Sequence, residues 1–378
     1  MKLSFNEFSF PLALAFVNGL IFSVLCWIRG FREERKSDIW LGFVILSSCL
    51  AILDYMLGFM GIHVMFEEFL FFPYNIGFVI GPLIYFYLKS QLNVDFSLKR
   101  QDLLHFLAYT IYVIYHLLVF IQGRDFTRNW SDKVSYPYHI ADLEVYLSVI
   151  SNFTYLFFAI RLYQYYVKWL PTQFADIDTL SFRWYRRFLF VFALAIVVDL
   201  VYLFLGMYGL NLSFQDIWWE KMLIACIIYY LCIKGYSQIQ PKHLVFKPET
   251  QKTQEKVKPE ISIPDLENWK NKVLKGMNQD KLYLNPDLSL SDLANQLKTN
   301  NSLLSAVINT GFGKNFNDFV NEFRVKEFQE RVLLPENQHI TLLGIAFDSG
   351  FNSKATFNRV FKKTTGQSPK NFSNCQAD

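Results

Sequence analysis

Hydrophobic and polar positions alternate in two different ways along this chain. Up to about residue 235 the apolar residues run in long blocks. Seven such segments stand at about 9–28, 39–60, 69–88, 103–121, 143–163, 188–208 and 216–235. Each approaches the ~20 residues that a helix needs to cross ~30 Å of hydrocarbon, which predicts a seven-transmembrane helix bundle over 1–237. The first has a single preceding charge, Lys2, and no small-residue cleavage site, so it reads as a span and not as a removable signal. From residue 265 onward the apolar positions recur every three or four residues, the pattern of amphipathic helices. Asp265 is expected to cap a helix to about 279 with Leu266, Trp269, Val273 and Met277 on one face. Ser289 is expected to cap the next, with Leu290, Leu293 and Leu297 inward. A turn through Thr299-Asn300-Asn301 leads to a helix burying Leu304, Val307 and Ile308 and ending near Gly311 or Gly313. A longer helix then runs from about Asn315 to Leu334, where Pro335 ends it.

This second region repeats itself. Leu304, Ile308, Gly313 and Phe319 recur as Phe357, Phe361, Gly366 and Phe372 at a spacing of 53, while Ala294 recurs as Ala346 at 52. In the second copy Thr341 caps a helix carrying Leu342, Ile345 and Ala346. Asp348-Ser349-Gly350 turns the chain, and Ser353 caps a helix that buries Phe357, Val360 and Phe361 and stops at Gly366. A small residue, a turn, an apolar pair and a glycine stop describe two helices joined tightly. The chain is therefore expected to be all-α, a membrane bundle followed by a soluble domain at 265–374 with two helix-turn-helix units, at about 289–311 and 341–363. With Phe357, Val360 and Phe361 inward, Ala355, Arg359 and Lys362 face outward at 3.6 residues per turn.

Charge separates the same two regions. Residues 1–240 hold 18 basic and 18 acidic side chains, and residues 241–378 hold 19 and 15. The segments between apolar blocks carry twelve Lys/Arg on one side (Arg29, Arg32, Arg35, Lys36, Lys89, Lys99, Arg100, Arg161, Lys168, Arg183, Arg186, Arg187) and four on the other (Lys2, Arg124, Arg128, Lys133). The positive-inside rule then puts the N-terminus outside and the C-terminal domain in the cytoplasm. Between them, 238–264 is punctuated by Pro241, Pro248, Pro259 and Pro264 and has no apolar period. It reads as a flexible linker reaching about 30 Å.

A few polar residues interrupt the apolar blocks. Asp54 and Asp199 lie inside the second and sixth, and His63, Glu67, Glu68 and His116 are expected near the same outer side. A carboxylate in hydrocarbon costs several kcal/mol unless paired, protonated or wetted, which makes Asp54 and Asp199 candidates for signal sensing. Hydrogen bonding between helices is the competing reading and the commoner use of such groups. Gly81-Pro82 should kink the third segment. Of five cysteines (Cys26, Cys49, Cys226, Cys232, Cys375), none has metal-ligand spacing, and free thiols are expected. The sequence has no phosphate loop, H-E-x-x-H, clustered metal ligands or nucleophile elbow, so no enzyme activity, cofactor or metal is expected.

The stretch ITLLGIAFDSGFNSKATFNRVFKKTTGQSPKNF from Ile340 resembles the C-terminal signature of AraC/XylS-type transcription regulators. AVINTGFGKNFNDFVNEFRV is similar to the preceding part of the same domain, and the resemblance covers about 265–374. It implies two recognition helices entering successive major grooves about 34 Å apart. It adds Lys354 and Thr356 to the groove-facing set of Ala355, Arg359 and Lys362, and implies Ser302, Ser305, Ala306 and Asn309 in the first unit. Arg359 suits guanine or phosphate and the lysines suit phosphate, whereas the first helix is a weaker reader, so the second unit is expected to supply most of the affinity. One departure stands out: Phe372 is followed by Ser373 where the family often has a basic residue. Together with the seven apolar segments, which lie outside it, the resemblance implies a membrane-bound regulator of the bacterial inner membrane, with double-stranded promoter DNA and the lipid bilayer as partners. A homodimer and an unidentified small ligand belong to the same expectation, with RNA polymerase as a partner if the protein activates. The alternative is a transporter or membrane enzyme with a regulatory DNA-binding tail, for which the two intramembrane carboxylates are the foothold.

Overall fold

A computed structural model describes residues 5–61, 71–208, 213–238, 244–246 and 265–374. Among these the chain is helical, with isolated bridges and no strand. It divides into two compact units, one of residues 1–163 and 183–247, the other of residues 164–182 and 248–378.

The first unit contains α1 (Ser9–Arg32), α2 (Lys36–Phe59), α3 (Gly77–Leu92), α4 (Leu107–Phe120, entered through a 3-10 turn at Arg100–Phe106) and α5 (Arg124–Trp130). It continues with α6 (Ile140–Gln173, as far as residue 163), α7 (Arg183–Met207) and α8 (Trp218–Tyr230, extended by a π-turn at Leu231–Gly235). Among the described residues five helical stretches are long and apolar enough to cross a membrane by length and composition: Ser9–Arg32, Lys36–Phe59, Arg100–Phe120, Ile140–Gln173 and Arg183–Gly206. The expected count of seven is thus reached only with two shorter helices. In the third segment, residues 71–76 around Pro73 are not helical, so α3 starts at Gly77 and has 16 residues. It runs on through Pro82 without a break in the helix. The seventh segment has 13 α-helical residues before the π-turn.

Outward faces in this unit are apolar. On α1, Phe10, Leu14, Val17, Ile21, Val24, Ile28 and Phe31 are all exposed at alternating spacings of four and three. Phe190, Leu194, Val197, Val201 and Phe204 repeat the pattern on α7. Apolar stripes of this length mark a contact surface and are compatible with lipid. The inward faces use small residues for close approach: a Cβ on Gly19 of α1 would lie 2.2 Å from Cys49 Sγ of α2. At one end, Arg29 and Arg35 converge on the buried Asp38. They also donate to the carbonyls of Tyr236 and Gln238, fixing the exit from α8. Part of the expected linker is tied to this unit as well. Val94 N–H donates to Leu244 O at 3.0 Å and Phe246 N–H to Leu92 O at 3.1 Å, with Leu244 and Phe246 buried. Most of the rest of 238–264, together with His63, Glu67, Glu68 and Cys375, lies outside the described residues.

The second unit holds α9 (Leu266–Asn278), α10 (Leu290–Gln296), α11 (Asn301–Phe312), α12 (Phe316–Val332), α13 (Leu342–Asp348), α14 (Lys354–Thr365) and α15 (Pro369–Asn374). It also holds the last turns of α6 and the loop after them. Asp265 does not cap α9 with its side chain; it sits in the left-handed region at φ 63°. Two cores form. Val273, Met277, Leu290, Leu293, Ala294, Leu304, Val307 and Ile308 fill the first. The second is built on Phe328, Phe351, Phe357, Phe361 and Phe372.

Candidate nucleic-acid interface

The two helix-turn-helix units share a backbone program written in their caps. Ser289 and Asp292 form a capping box at α10, and Asn300 accepts from Leu303 N–H at 2.8 Å at α11. Thr341 and Ser353 do the same for Gly344 and Thr356 N–H at α13 and α14. Each turn closes by the same bond, from Thr299 N–H to Ala294 O at 2.9 Å and from Phe351 N–H to Ala346 O at 3.1 Å. Gly313 and Gly366, both left-handed, end the recognition helices. The one-residue difference between repeats lies between the left-handed turn residue and the following cap. Thr299 alone separates Lys298 from Asn300, whereas Phe351 and Asn352 separate Gly350 from Ser353. Asn352 is the added residue; Phe351, the counterpart of Thr299 by the turn bond, is buried against the Phe357 ring at 5.2 Å.

α12 joins the units through two buried charges. Arg324, 1% exposed, donates to the carbonyls of Tyr283 and Asn285 at 2.8 and 2.7 Å, holding the turn that precedes α10. Burial lowers its guanidinium to about 10, well short of losing its charge at neutral pH. Burial alone would push the Glu327 carboxyl up. Hydrogen bonds from Tyr283, Arg331 and Lys281 outweigh that and hold it at about 2.

On α11, Ser302 and Asn309 are exposed, while Ser305 and Ala306 are half-buried; Asn309 also donates to Ser305 Oγ at 3.3 Å. On α14, Lys354, Ala355, Arg359 and Lys362 are exposed. Thr356 is not. It is 1% exposed, and its hydroxyl donates to Asp178 Oδ2 at 2.7 Å, so its expected groove-facing position is covered in this conformation. The same carboxylate accepts from Arg359 Nη2 at 3.0 Å. Asp178 belongs to the loop after α6, residues 174–182, which holds no Lys or Arg between the basic positions Lys168 and Arg183. Its charged side chains are Asp176 and Asp178, a signal that a count of Lys and Arg passes over.

In the first unit, Asp54 and Asp199 line one cavity of about 840 Å³ together with Tyr55, Asn152, Glu220 and Lys221. Lys221 donates to Glu220 at 2.5 Å, stands 4.7 Å from the Tyr55 ring centroid, and interacts electrostatically with both Asp54 and Asp199. Asn152 is 8% exposed, and its Oδ1 has no partner. His116 pairs with Glu144 at 3.0 Å and is absent from the cavity lining. Glu220 and Lys221 stand at the start of the last apolar segment, where charges read as a boundary and not as a site. Among the described residues no cluster of three or more metal-ligating side chains occurs.

Comparison with known proteins meets this geometry at the C-terminal region. Residues 293–374 match a family model described as a helix-turn-helix domain. Uncharacterized HTH-type transcriptional regulators of Staphylococcus aureus strains COL and N315 are each 33% identical over 92 residues, 24% of this chain. The match spans 12% of the length of these relatives. No solved structure matches the chain significantly. Paired caps, equivalent turn bonds, left-handed glycine stops and the family match agree, and the C-terminal part of this chain is a helix-turn-helix domain of the AraC type.

Proposed function

We propose that the chain is a membrane-embedded, sequence-specific transcription regulator that couples a signal at its membrane unit to promoter binding by its two helix-turn-helix units. The observation that carries this reading is one chain joining an AraC-type helix-turn-helix domain to helices with continuous exposed apolar stripes. DNA contact runs through Ser302, Ser305, Ala306 and Asn309 on α11 and through Lys354, Ala355, Thr356, Arg359 and Lys362 on α14. Arg359 reads a guanine or grips phosphate, and the lysines position the duplex. The domain faces the cytoplasm from the bacterial inner membrane, bridged by the 238–264 segment. A homodimer and, for an activator, RNA polymerase complete the assembly.

The cavity around Asp54 and Asp199 is the signal site in this reading. Carboxylates outnumber the one lysine there, and tyrosine and aliphatic side chains form the remaining walls. The fitting ligand is an apolar molecule bearing a positive charge, because a cation is what desolvated carboxylates stabilise. The test is to map DNA bound to the intact protein in cells and repeat the map with Asp54→Asn and Asp199→Asn. The reading expects discrete promoter sites whose occupancy stops responding to growth conditions in the variants. Absence of any enriched site would refute it.

The same carboxylates favour a second reading, a transporter with a regulatory tail. Flux into proteoliposomes that disappears with Asp54→Asn and Asp199→Asn would decide for it.

A further inference from the structure

Arg359 is already occupied by this chain's own acid. The loop at 174–178 is held along the second unit by bonds to three different elements. The Ala175 N–H donates to Leu288 O at 3.2 Å, just ahead of α10. Asn317 and Asn321 of α12 donate through Nδ2 to Ala175 O at 2.6 and 3.1 Å. Asp178 accepts from Thr356 and Arg359 of α14. Ala175 is fully buried in the first core, so the loop is seated and does not rest loosely on a surface. It therefore touches the first unit, the joining helix and the second recognition helix together.

We infer that this loop is an intramolecular latch in which Asp178 stands in for a DNA phosphate on Arg359 and, with Asp176, keeps the second recognition helix from the duplex. The chemistry is that of competition between two anions for one guanidinium. Thr356 is covered by the loop, and Arg359, exposed but bonded to Asp178 through Nη2, must exchange that carboxylate for a DNA phosphate. The inference rests on the DNA-binding reading above and adds its regulation.

The latch is also placed to respond to the membrane unit, because both are carried by one helix. Residues Asp142, Val145, Tyr146, Ser148, Val149 and Asn152 of α6 line the cavity. The helix continues to Gln173, immediately before the loop. A ligand in the cavity would act on the same chain segment that leads into the loop. Binding energy in the cavity then needs to favour only the unlatched state to raise DNA affinity.

The test uses the full-length protein in lipid nanodiscs and a library of genomic duplex fragments, followed by titration of the most enriched fragment. Asp178→Ala should bind that fragment about tenfold tighter than the unsubstituted protein, which is 1.4 kcal/mol at 25 °C. The salt dependence should steepen by about one phosphate equivalent, because Arg359 is free to neutralise one more. Asn317→Ala, which loosens the loop without touching Arg359, should shift affinity the same way. If it fails to fold by circular dichroism, Asp178→Ala alone decides. Binding by Asp178→Ala where the unsubstituted protein is silent also supports the latch. Equal or weaker binding by Asp178→Ala overturns it while leaving DNA binding intact. Failure of both proteins on every fragment overturns the DNA-binding reading, and the latch with it.

Discussion

The two helix-turn-helix units are built on the same backbone instructions and filled with different chemistry. Both have polar caps at each helix start, a turn closed on an alanine carbonyl, and a glycine stop. The first core is largely aliphatic, drawing on α9, α10, α11 and Ala175 of the loop. The second is a cluster of phenylalanines in which the Phe328 ring lies 4.7 Å from Phe357 and 5.3 Å from Phe361. Outward, α11 offers small polar groups and α14 offers cations. The comparison teaches that local capping fixes where helices begin and end. Side-chain content then decides separately how each unit is stabilised and what each helix can bind.

If the second core depends on its aromatic cluster, Phe328→Ala should be the most damaging substitution, costing about 3–5 kcal/mol. Hydrogen exchange should show protection lost first in α13 and α14 and retained in α10 and α11. Uniform loss in both units would mean that the cores are not separable.

A smaller effect tests the unequal turns. Gly350 has φ 93°, and a Cβ there would lie 2.4 Å from Tyr283 O. Gly350→Ala should therefore lower stability by about 2 kcal/mol, combining backbone strain with a backbone clash. The equivalent left-handed residue in the first unit is Lys298 at φ 55°. Lys298→Gly should change thermal stability by about 1 kcal/mol or less, in the stabilising direction, because it relieves αL strain. Similar responses at both turns would contradict the difference described.

Acid should probe the charge buried between the units. Glu327 has a folded-state value of about 2 against an ordinary value of 4.5. Its depressed value stabilises the fold above pH 4.5, and that contribution is lost as pH falls from 4.5 toward 2. Glu327→Gln should lower stability at neutral pH and flatten the acid limb of a stability–pH profile. An unchanged acid limb would show that the bonds from Tyr283, Lys281 and Arg331 carry no net weight.

Much of the domain was legible because its signals are local. Ser289 and Ser353 announce helix starts, Gly313 and Gly366 announce stops, and the apolar spacing selects the buried face. The single-residue offset after Ala294 and Ala346 was visible too, although only the structure shows that Phe351, at the position of Thr299, is buried in a core. What escaped was contact between distant positions. Asp178 and Arg359 are 181 residues apart, and no local pattern pairs them. Asp54 and Asp199 each stood out as a carboxylate in an apolar block. Their convergence with Glu220 and Lys221 in one cavity depends on how helices pack, which hydrophobic periodicity leaves open. The Leu244–Phe246 attachment is too short to give a strand pattern. Asp265 had the right residue type for a cap but adopts a left-handed backbone that removes its side chain from that role.

The unequal faces of α11 and α14 are tested most directly by operator titration of the full-length Asp178→Ala protein, which lacks the ion pair to Arg359, with Arg359→Ala or Asn309→Ala added. The account predicts roughly 10- to 100-fold weaker binding for Arg359→Ala, the range of a lost arginine–guanine contact. It predicts less than about threefold for Asn309→Ala, the loss of a weak neutral contact. Unchanged binding by Arg359→Ala, with binding abolished by Asn309→Ala, would contradict it.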